Sequence, residues 1–462
     1  MTDTDVLDAA VRAARAYLAT LPTRPVAARA TIEEMRAALG GPLPADGTDP
    51  ARVVAELAEQ ADPGIVATAG PRYFGFVVGG TLPAALGADW LTSVWDQNAG
   101  IYVLSPAASV VEETVIRWLL ELFGLPSTSS IGFVTGCQMA NATCLAAARH
   151  AVLRKAGWDV EERGLFGAPE IDVVLGGEAH VTIPVALRLL GLGASRVRSV
   201  PVDGQGRMRA EPLRRMLAET HGPAIVCAQA GNVNTGAFDP IDEIAAITRE
   251  RGAWLHVDGA FGLWAAASPK LRALTKGLER ADSWATDAHK SLNVPYDNGI
   301  AIVADASAHR AAMAATAAYL VKSSDGRRDP DDWTPEFSRR ARGFTVYAAL
   351  RSLGRRGVVD LIERSSSQAR EMADRLGQAP GVEVLNDVGY NQVLVRFKPA
   401  GGGDIDAHTR AVIERVQQDG TCWLGGTTWQ GKAAMRISVS GWSTTSDDIA
   451  RSADAILRAT RP

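Results

Sequence analysis

The stretch that decides the fold is residues 224–258, AIVCAQAGNVNTGAFDPIDEIAAITRERGAWLHVD. Its ends, AIVCAQA and AWLHVD, are short apolar runs that indicate buried strands, whereas DEIAAITRERG between them has helical spacing. A strand, a helix and a second strand in this order predict a parallel pair with a crossover helix. Similar apolar runs occur at IGFV (131–134), DVVLG (172–176) and GIAIVA (299–304). The sequence therefore predicts an α/β protein with a mostly parallel sheet and helices on both faces.

The 462-residue chain divides into three parts. Residues 1–62 have helical patterns but little core of their own, which predicts an N-terminal helical arm lying on another surface. Residues 63–312 carry the β–α alternation and form the predicted large domain. Residues 313–462 predict a mobile loop followed by a smaller α+β C-terminal domain. The loop is the polar, aperiodic segment 321–340, which is typical of an active-site cover or a linker.

Composition excludes several classes of protein. A net charge of −4 with 22% charged residues gives no basic surface for nucleic acid. No apolar run reaches the roughly eighteen residues of a membrane span, and the N-terminal helical pattern is not a secretion signal. The cysteines are scattered without a CxxC pair, which argues against a metal site and for a reducing compartment; they are Cys137, Cys144, Cys227 and Cys422. We expect a cytoplasmic, metal-free protein without nucleic-acid or membrane partners.

Polar side chains follow the predicted strands, where ligands of parallel sheets bind. Asp258 ends AWLHVD and is either a turn-forming carboxylate or a group aimed into a site. His180 follows DVVLG, where a lone histidine is more often structural. Asn232 follows AIVCAQA and either holds a ligand or shapes its turn.

The segment FVTGCQMANAT (133–143) leads from a strand through Gly136, Cys137 and Gln138 into a helix. Backbone N–H groups at such a helix start bind anions, so a phosphate suits this place, although the same motif also serves as a plain cap. We expect the N–H group of Cys137 to matter rather than its thiol.

The segment TDAHKSLNVPYDNG (286–299) places Lys290 in a polar turn beside His289. Taken alone, Lys290 is either a surface lysine or a reactive amine. A helix start for a phosphate, a carboxylate for a ring nitrogen, a flat side chain for stacking and a lysine for an aldehyde together match pyridoxal 5′-phosphate (PLP). The four features predict PLP as the cofactor.

The same motifs, in this order, resemble the PLP-dependent group II amino-acid decarboxylases, which include the aromatic-amino-acid, glutamate and histidine decarboxylases. The resemblance runs from about residue 73 to 449 and implies the fold of aspartate aminotransferase, PLP-dependent fold type I. The motifs are TGCQMANATCLAAAR, GEAHVTI, HVDGAFG, DAHK and SRRARGFTVYAALRSLG.

The resemblance assigns roles to individual residues. It implies that Lys290 is the Schiff-base lysine and that His289 contacts the phosphate. It also implies that His180 stacks on the pyridine ring, that Asp258 pairs with the ring nitrogen and that Ala260 packs beneath the ring. A homodimer with active sites at the subunit interface is implied as well.

The implied reaction is decarboxylation of an L-amino acid to an amine and CO₂, through the Lys290 Schiff base and a quinonoid. It requires the α-carboxylate to stand perpendicular to the ring in an apolar pocket. Arg436 in AAMRISVS either binds a substrate carboxylate or forms a salt bridge. The aromatic candidates for the pocket favour an apolar or aromatic substrate, and some of them can come from a neighbouring subunit; they are Tyr73, Phe74, Phe76, Trp90 and Trp95.

The chain departs from the family in its loop. Residues 321–335 contain no tyrosine, although the resemblance implies a loop tyrosine as the proton donor, and its loss in the family accompanies oxygen-dependent aldehyde formation. Tyr319, His180 or water remain as donors. Ser291 is smaller than its usual counterpart, and Asp287 brings a negative charge near the phosphate unless it turns away or caps an N–H group.

Three functions therefore stay open. They are an amino-acid decarboxylase, a PLP enzyme of the same scaffold with another outcome (an aldehyde synthase, an aminotransferase or a carbon–carbon lyase), and a catalytically idle relative.

Overall fold

The structure, a computed structural model, describes residues 3–315, 322 and 326–461. Its helices are α1 (Asp3–Thr20), α2 (Ile32–Leu39), α3 (Pro50–Ala61), α4 (Pro83–Trp95), α5 (Pro106–Phe123), α6 (Cys137–Lys155), α7 (Val160–Arg163), α8 (Thr182–Leu189), α9 (Ala210–Ala218), α10 (Ile241–Arg251), α11 (Ala306–Met313), α12 (Gly343–Gly377), α13 (Ile405–Asp419) and α14 (Ser446–Ala459). Its strands are β1 (Ser130–Val134), β2 (Asp172–Gly176), β3 (Arg198–Val200), β4 (Ala224–Gln229), β5 (Trp254–Asp258), β6 (Ser283–Asp287), β7 (Gly299–Val303), β8 (Val382–Val384), β9 (Gln392–Phe397), β10 (Gly425–Trp429) and β11 (Lys432–Ser438).

The large domain contains a seven-stranded sheet in the order β1-β7-β6-β5-β4-β2-β3. All neighbouring pairs from β6 to β3 are parallel, whereas β7 is antiparallel to both β6 and β1. Asp287 and Gly299 pair directly, so residues 288–298 form a hairpin loop, too short for the crossover helix that a parallel connection needs. The prediction of a mostly parallel sheet is confirmed, and the exception places Lys290 on this hairpin loop.

Both faces of the sheet are covered by helices. Alternate residues of β4 enter two different cores: Ile225 and Cys227 pack with α6 and α8, whereas Val226 and Ala228 pack with α5, α9 and α10. Because a strand turns successive side chains to opposite faces, this alternation requires helices on each side. Burial on both faces explains why the central strands appear in the sequence as continuous apolar runs.

The C-terminal domain is built on a four-stranded antiparallel sheet in the order β10-β11-β9-β8. Apolar side chains of α12, α13 and α14 cover it and form a separate core. Helix α12 is interrupted at Gly354, whose φ of 60° and ψ of 177° leave the helical region. The smaller α+β domain is thus present; the domain boundaries near residues 62 and 312 remain predictions.

The predicted mobile segment 321–340 is held by buried charges over most of its described length. Arg328 and Arg339 flank the buried Glu112 carboxylate at 3.2 and 2.7 Å. The same two guanidinium groups donate to the carbonyls of Ile131 and Phe133 on the edge strand β1. A buried ion pair is costly to break, because removing one partner leaves a charge without compensation. A mobile loop therefore does not fit residues 328–340, and Tyr319 lies outside the described residues.

The N-terminal helices have the small core that their sequence predicted. No residue of α2 or α3 is buried, and α3 packs mainly against α1 and α2. Within the described part of the chain, no helix is both long enough and apolar enough to cross a membrane.

Candidate active site

The candidate site lies at the carboxyl end of β5, where the start of α6 and the β6–β7 hairpin loop meet. Asp258 is the last residue of β5 and is 5% exposed. Its oxygens receive hydrogen bonds from Asn141 Nδ2 (3.3 Å), the Ala260 N–H group (3.2 Å) and the Cys137 thiol (3.5 Å). Burial raises the pKa of the Cys137 thiol, so its sulfur keeps the proton that it donates. Three donors make a buried carboxylate tolerable here.

A line of buried hydrogen bonds reaches Asp258 through Asn141. Trp254 Nε1 donates to Ser283 Oγ (2.9 Å), which lies 3.0 Å from His256 Nδ1. His256 Nε2 lies 2.9 Å from Asn141 Oδ1, and Asn141 Nδ2 donates to Asp258. A carboxylate can only accept, so the Asn141 amide nitrogen donates to it and the Asn141 oxygen accepts from His256 Nε2. His256 is neutral with its proton on Nε2, and burial lowers its pKa to about 4.

His180 stands half-buried on the same side of the sheet. The Thr182 N–H group and hydroxyl both lie against its Nδ1, at 3.4 and 2.9 Å. The backbone N–H group can only donate, so Nδ1 accepts and the proton sits on Nε2. Burial lowers the pKa of His180, although Asp258 opposes this effect. The result is a flat neutral ring whose orientation is linked to Asn141, because the Asn141 amide also donates to the Thr182 hydroxyl (3.4 Å).

Lys290 is not a surface lysine, since its side chain is 20% exposed and lies inside the site. Its Nζ is 3.0 Å from Asp287 Oδ2. Burial alone would lower the pKa of Lys290, but the Asp287 carboxylate, together with the nearby Cys137 and Asp258, outweighs burial and raises it. Ser291 fills the space beside the lysine and donates to the Phe261 carbonyl (3.0 Å).

The start of α6 forms an anion site. Its N-cap residue Gly136 provides no capping side chain, and the Cys137 N–H group donates to Asp287 Oδ1 (2.6 Å). A Cβ atom at Gly299 would lie 2.4 Å from the Gly136 carbonyl carbon, so only glycine lets β7 come this close. Gln138 is exposed at the same helix start.

His289 lies behind this helix start. Its Nδ1 accepts from the Asn298 N–H group (3.0 Å), which leaves the proton on Nε2, 3.4 Å from Asp287 Oδ1. Burial lowers the pKa of His289, and the Tyr296 ring stacks on it with centroids 4.1 Å apart.

Asn232 shapes its own turn. Its side-chain oxygen accepts from the N–H groups of Asn234 (2.9 Å) and Thr235 (3.1 Å), and its amide donates to the Glu178 carbonyl. Of the two roles left open for Asn232, these contacts favour turn formation, and a role in cofactor binding remains a prediction.

The predicted substrate residues lie in different surroundings in the structure. Phe74 is 1% exposed inside the core of the C-terminal domain, so it is removed from the pocket candidates. Phe76, two residues later, is exposed and lies 5.9 Å from the Arg436 guanidinium. Tyr73 is buried and stacks on Trp423. Trp95 is exposed and packs edge-on against Phe344 of α12, and its role in the substrate pocket remains a prediction.

Two important residues, Asn141 and His256, were not among the predicted site residues. Both carried a spacing signal: His256 lies two positions before Asp258, hence on the same face of β5, and Asn141 lies one helical turn after Cys137. Polar side chains at these two spacings, in otherwise apolar elements, point at the same carboxylate.

The described residues fit PLP. Asp287 Oδ1 accepts a hydrogen bond from the Cys137 N–H group, as a phosphate oxygen would, so this helix start binds an anionic group. A buried carboxylate with fixed donors, a neutral flat histidine and an almost enclosed lysine supply the remaining groups. Asp258 suits the ring nitrogen, His180 the ring face and Lys290 the aldehyde.

Comparison with known proteins agrees with this chemistry. The family described as "Pyridoxal-dependent decarboxylase conserved domain" matches residues 33–398. Acidic amino acid decarboxylase GADL1 of Bos taurus is 30% identical over 79% of this chain and 73% of its own length. Aromatic-L-amino-acid decarboxylase of Bacillus atrophaeus is 26% identical over 93% of this chain and 89% of its own. The chain belongs to the pyridoxal-dependent decarboxylase family.

The fold is also similar to that of a solved structure. The crystal structure of Oryza sativa TDC with PLP and tryptamine superposes with a TM-score of 0.92 at 23% identity, over 100% of this chain and 98% of that one. The predicted fold class is thereby confirmed. The family assignment confirms the predicted cofactor, PLP, and the predicted enzyme class, an amino-acid carboxy-lyase.

We expect Asn141→Leu to weaken PLP binding by about 10- to 100-fold, because Asp258 loses a hydrogen bond to a charged acceptor and His180 loses its link to Asp258. Titration of the cofactor-free chain with PLP measures the dissociation constant. Thr143→Val is the matched control, since the buried Thr143 hydroxyl donates to the Met139 carbonyl within the same helix. An unchanged dissociation constant in folded Asn141→Leu would contradict the link.

Proposed function

We propose that this enzyme removes the α-carboxylate of an amino acid as CO₂ and releases an amine, with Lys290, Asp258 and His180 at the reacting centre. The observation that carries the proposal is the enclosed Lys290 amine at the carboxyl end of the sheet, on the same side as the buried Asp258 carboxylate. PLP, when bound, supplies an electron sink for the electrons of the broken bond.

The remaining residues position the reactants. The Asp258 charge, fixed by three donors, would hold a proton on the cofactor nitrogen. The neutral His180 ring would lie against the ring face, and the helix start at Gly136, Cys137 and Gln138 would receive the phosphate with His289 behind it. Ala260, whose N–H group bonds to Asp258, would pack on the other ring face.

The proton that replaces the carboxylate at Cα needs a donor. His180 Nε2 carries a proton and is the candidate donor among the described residues. Tyr319 remains a candidate on sequence grounds alone.

A lysine-specific test checks the assignment. Borohydride is expected to fix PLP covalently to Lys290 in the wild-type chain, because only a primary amine forms the reducible link. Lys290→Ala should show neither labelling nor CO₂ release. Lys270→Ala is the control, because Lys270 is 79% exposed and pairs with Glu363. Labelling at another lysine would refute the role of Lys290.

The product is tested on the holoenzyme with a panel of amino acids, by measuring CO₂, hydrogen peroxide and ammonia. CO₂ without peroxide supports amine formation. CO₂ with peroxide and ammonia supports an aldehyde synthase, the second candidate, which the absence of tyrosine from residues 321–335 favours. No CO₂ from any amino acid would exclude both.

Arg436 is proposed to bind the α-carboxylate of the incoming substrate, since a substrate with an apolar side chain has no other carboxylate. Bond cleavage then requires that group to leave Arg436 for the apolar pocket. Burial lowers the pKa of its guanidinium, and within the described ranges the structure gives it no hydrogen-bond or ion-pair partner. A half-desolvated cation without an anion is costly, so an incoming carboxylate has a ready partner. The exposed Phe76 ring beside it supports an apolar or aromatic side chain in the substrate.

Arg436→Met should raise the KM for the preferred substrate by about 10- to 100-fold, because a charge-assisted hydrogen bond is lost. Lys432→Met, an exposed cation of the same strand β11, should leave KM unchanged. Steady-state kinetics measure both. A preference for aspartate or glutamate in the panel would contradict the apolar substrate class, and an unchanged KM would contradict the role of Arg436.

We further propose a cytoplasmic homodimer. Exposed apolar side chains support the dimer: α4 alone presents Trp90, Leu91, Val94 and Trp95. Val94→Glu is expected to convert dimers into monomers in sedimentation velocity, because a charge would be buried in the interface. Phe166→Glu, at an exposed loop position, is the control. A monomeric wild-type chain would contradict the proposal. Four free, buried cysteines support a reducing compartment.

A further inference from the structure

Asp287 is a buried carboxylate at the centre of the cofactor site. It ends β6 and is 2% exposed. Its backbone is fixed from both sides, because its N–H group donates to the Ala260 carbonyl (2.9 Å) and its own carbonyl accepts from Trp264 Nε1 (3.0 Å). Only its side chain can move without disturbing the sheet.

The side chain of Asp287 holds three groups at once. Its oxygens lie 2.6 Å from the Cys137 backbone nitrogen, 3.0 Å from Lys290 Nζ and 3.4 Å from His289 Nε2. Cys137 and His289 belong to the proposed phosphate site, and Lys290 is the proposed attachment point. The Asp287 carboxylate therefore contacts the same three groups that are proposed to hold PLP.

A phosphate at this helix start would meet the Asp287 charge at close range. Both are anions, and both would compete for the same N–H group of Cys137 in a poorly solvated place. The positive groups near Asp287 are Lys290 and the start of α6, whereas Asp258 adds a further negative charge. The phosphate and Asp287 cannot both keep the contacts that the carboxylate makes here.

We propose that Asp287 is an internal latch: its carboxylate holds the Cys137 N–H group at the start of α6 and must release it for the phosphate of PLP. This inference rests on the proposed roles of Lys290 and the α6 start. Asp287 thereby weakens the binding of phosphorylated ligands, and it pairs with the Lys290 amine.

The test compares wild-type and Asp287→Asn in the full chain freed of PLP, titrated with PLP and with pyridoxal, which lacks the phosphate. The amide keeps the shape and the acceptor oxygen but removes the charge. The dissociation constant for PLP should fall by about 10-fold or more, whereas that for pyridoxal should change by less than about 3-fold, because only PLP brings a second anion. Equal gains for both ligands, or no gain for PLP, would overturn the latch.

A second measurement does not depend on cofactor chemistry. Inorganic phosphate should raise the melting temperature of cofactor-free Asp287→Asn but not that of the cofactor-free wild type, because only the variant has an open anion site. Stabilisation of the wild type to the same extent would also overturn the proposal.

Asp282→Asn is the matched control. Asp282 lies at the opposite end of β6, and its carboxylate also accepts a backbone N–H group, that of Leu255 at 2.7 Å. Its replacement should leave the affinities for both ligands unchanged. Borohydride labelling of wild-type Lys290 is scored separately: if it fails, the proposed function fails, whatever Asp287→Asn does.

Discussion

The constraint on which this site depends is the burial of one negative charge, that of Asp258, at the end of a central strand. A carboxylate that loses its water must be met by donors from the protein, or it would take up a proton instead. Two elements supply them: α6 contributes Asn141 and Cys137, and the turn after β5 contributes the Ala260 N–H group. Ser283 of β6 and His256 of β5 in turn hold Asn141 in place. The packing of α6 on the sheet therefore also fixes the position of this buried charge.

Much of the fold could be predicted because both faces of the sheet are buried. Burial forces continuous apolar runs such as those of β4 and β5, and these are visible in a single sequence. The direction of β7 could not be predicted in this way, since an antiparallel strand buried on both faces has the same composition as a parallel one. The strands β3, β6 and β10 were missed for another reason: RSV, SWATD and GGTTW carry few branched apolar residues.

Site residues were predictable where the path of the backbone sets their position. They were less predictable where the direction of the side chain decides whether a residue enters the site. Lys290, Asp258 and His180 follow strands, so their convergence follows from topology. Phe74 and Phe76 share a strand-like alternation, yet one enters the core and the other faces Arg436, and nothing local distinguishes them. The charged segment 328–340 has the composition of a loop, and its burial against Glu112 depends on Arg328 and Arg339 meeting a partner more than two hundred positions earlier.

The line of hydrogen bonds from Trp254 to Asp258 also affects the entropy of ligand binding. Because Asp258 can only accept and His256 is neutral, Ser283, His256 and Asn141 have a single arrangement of hydrogens with every bond made. Their conformational freedom is lost when the chain folds, and none of it remains to be lost when a ligand enters. The half of the site that is proposed to face the cofactor nitrogen is thus rigid in advance, and the adjustable half is the one that contains Asp287 and Lys290.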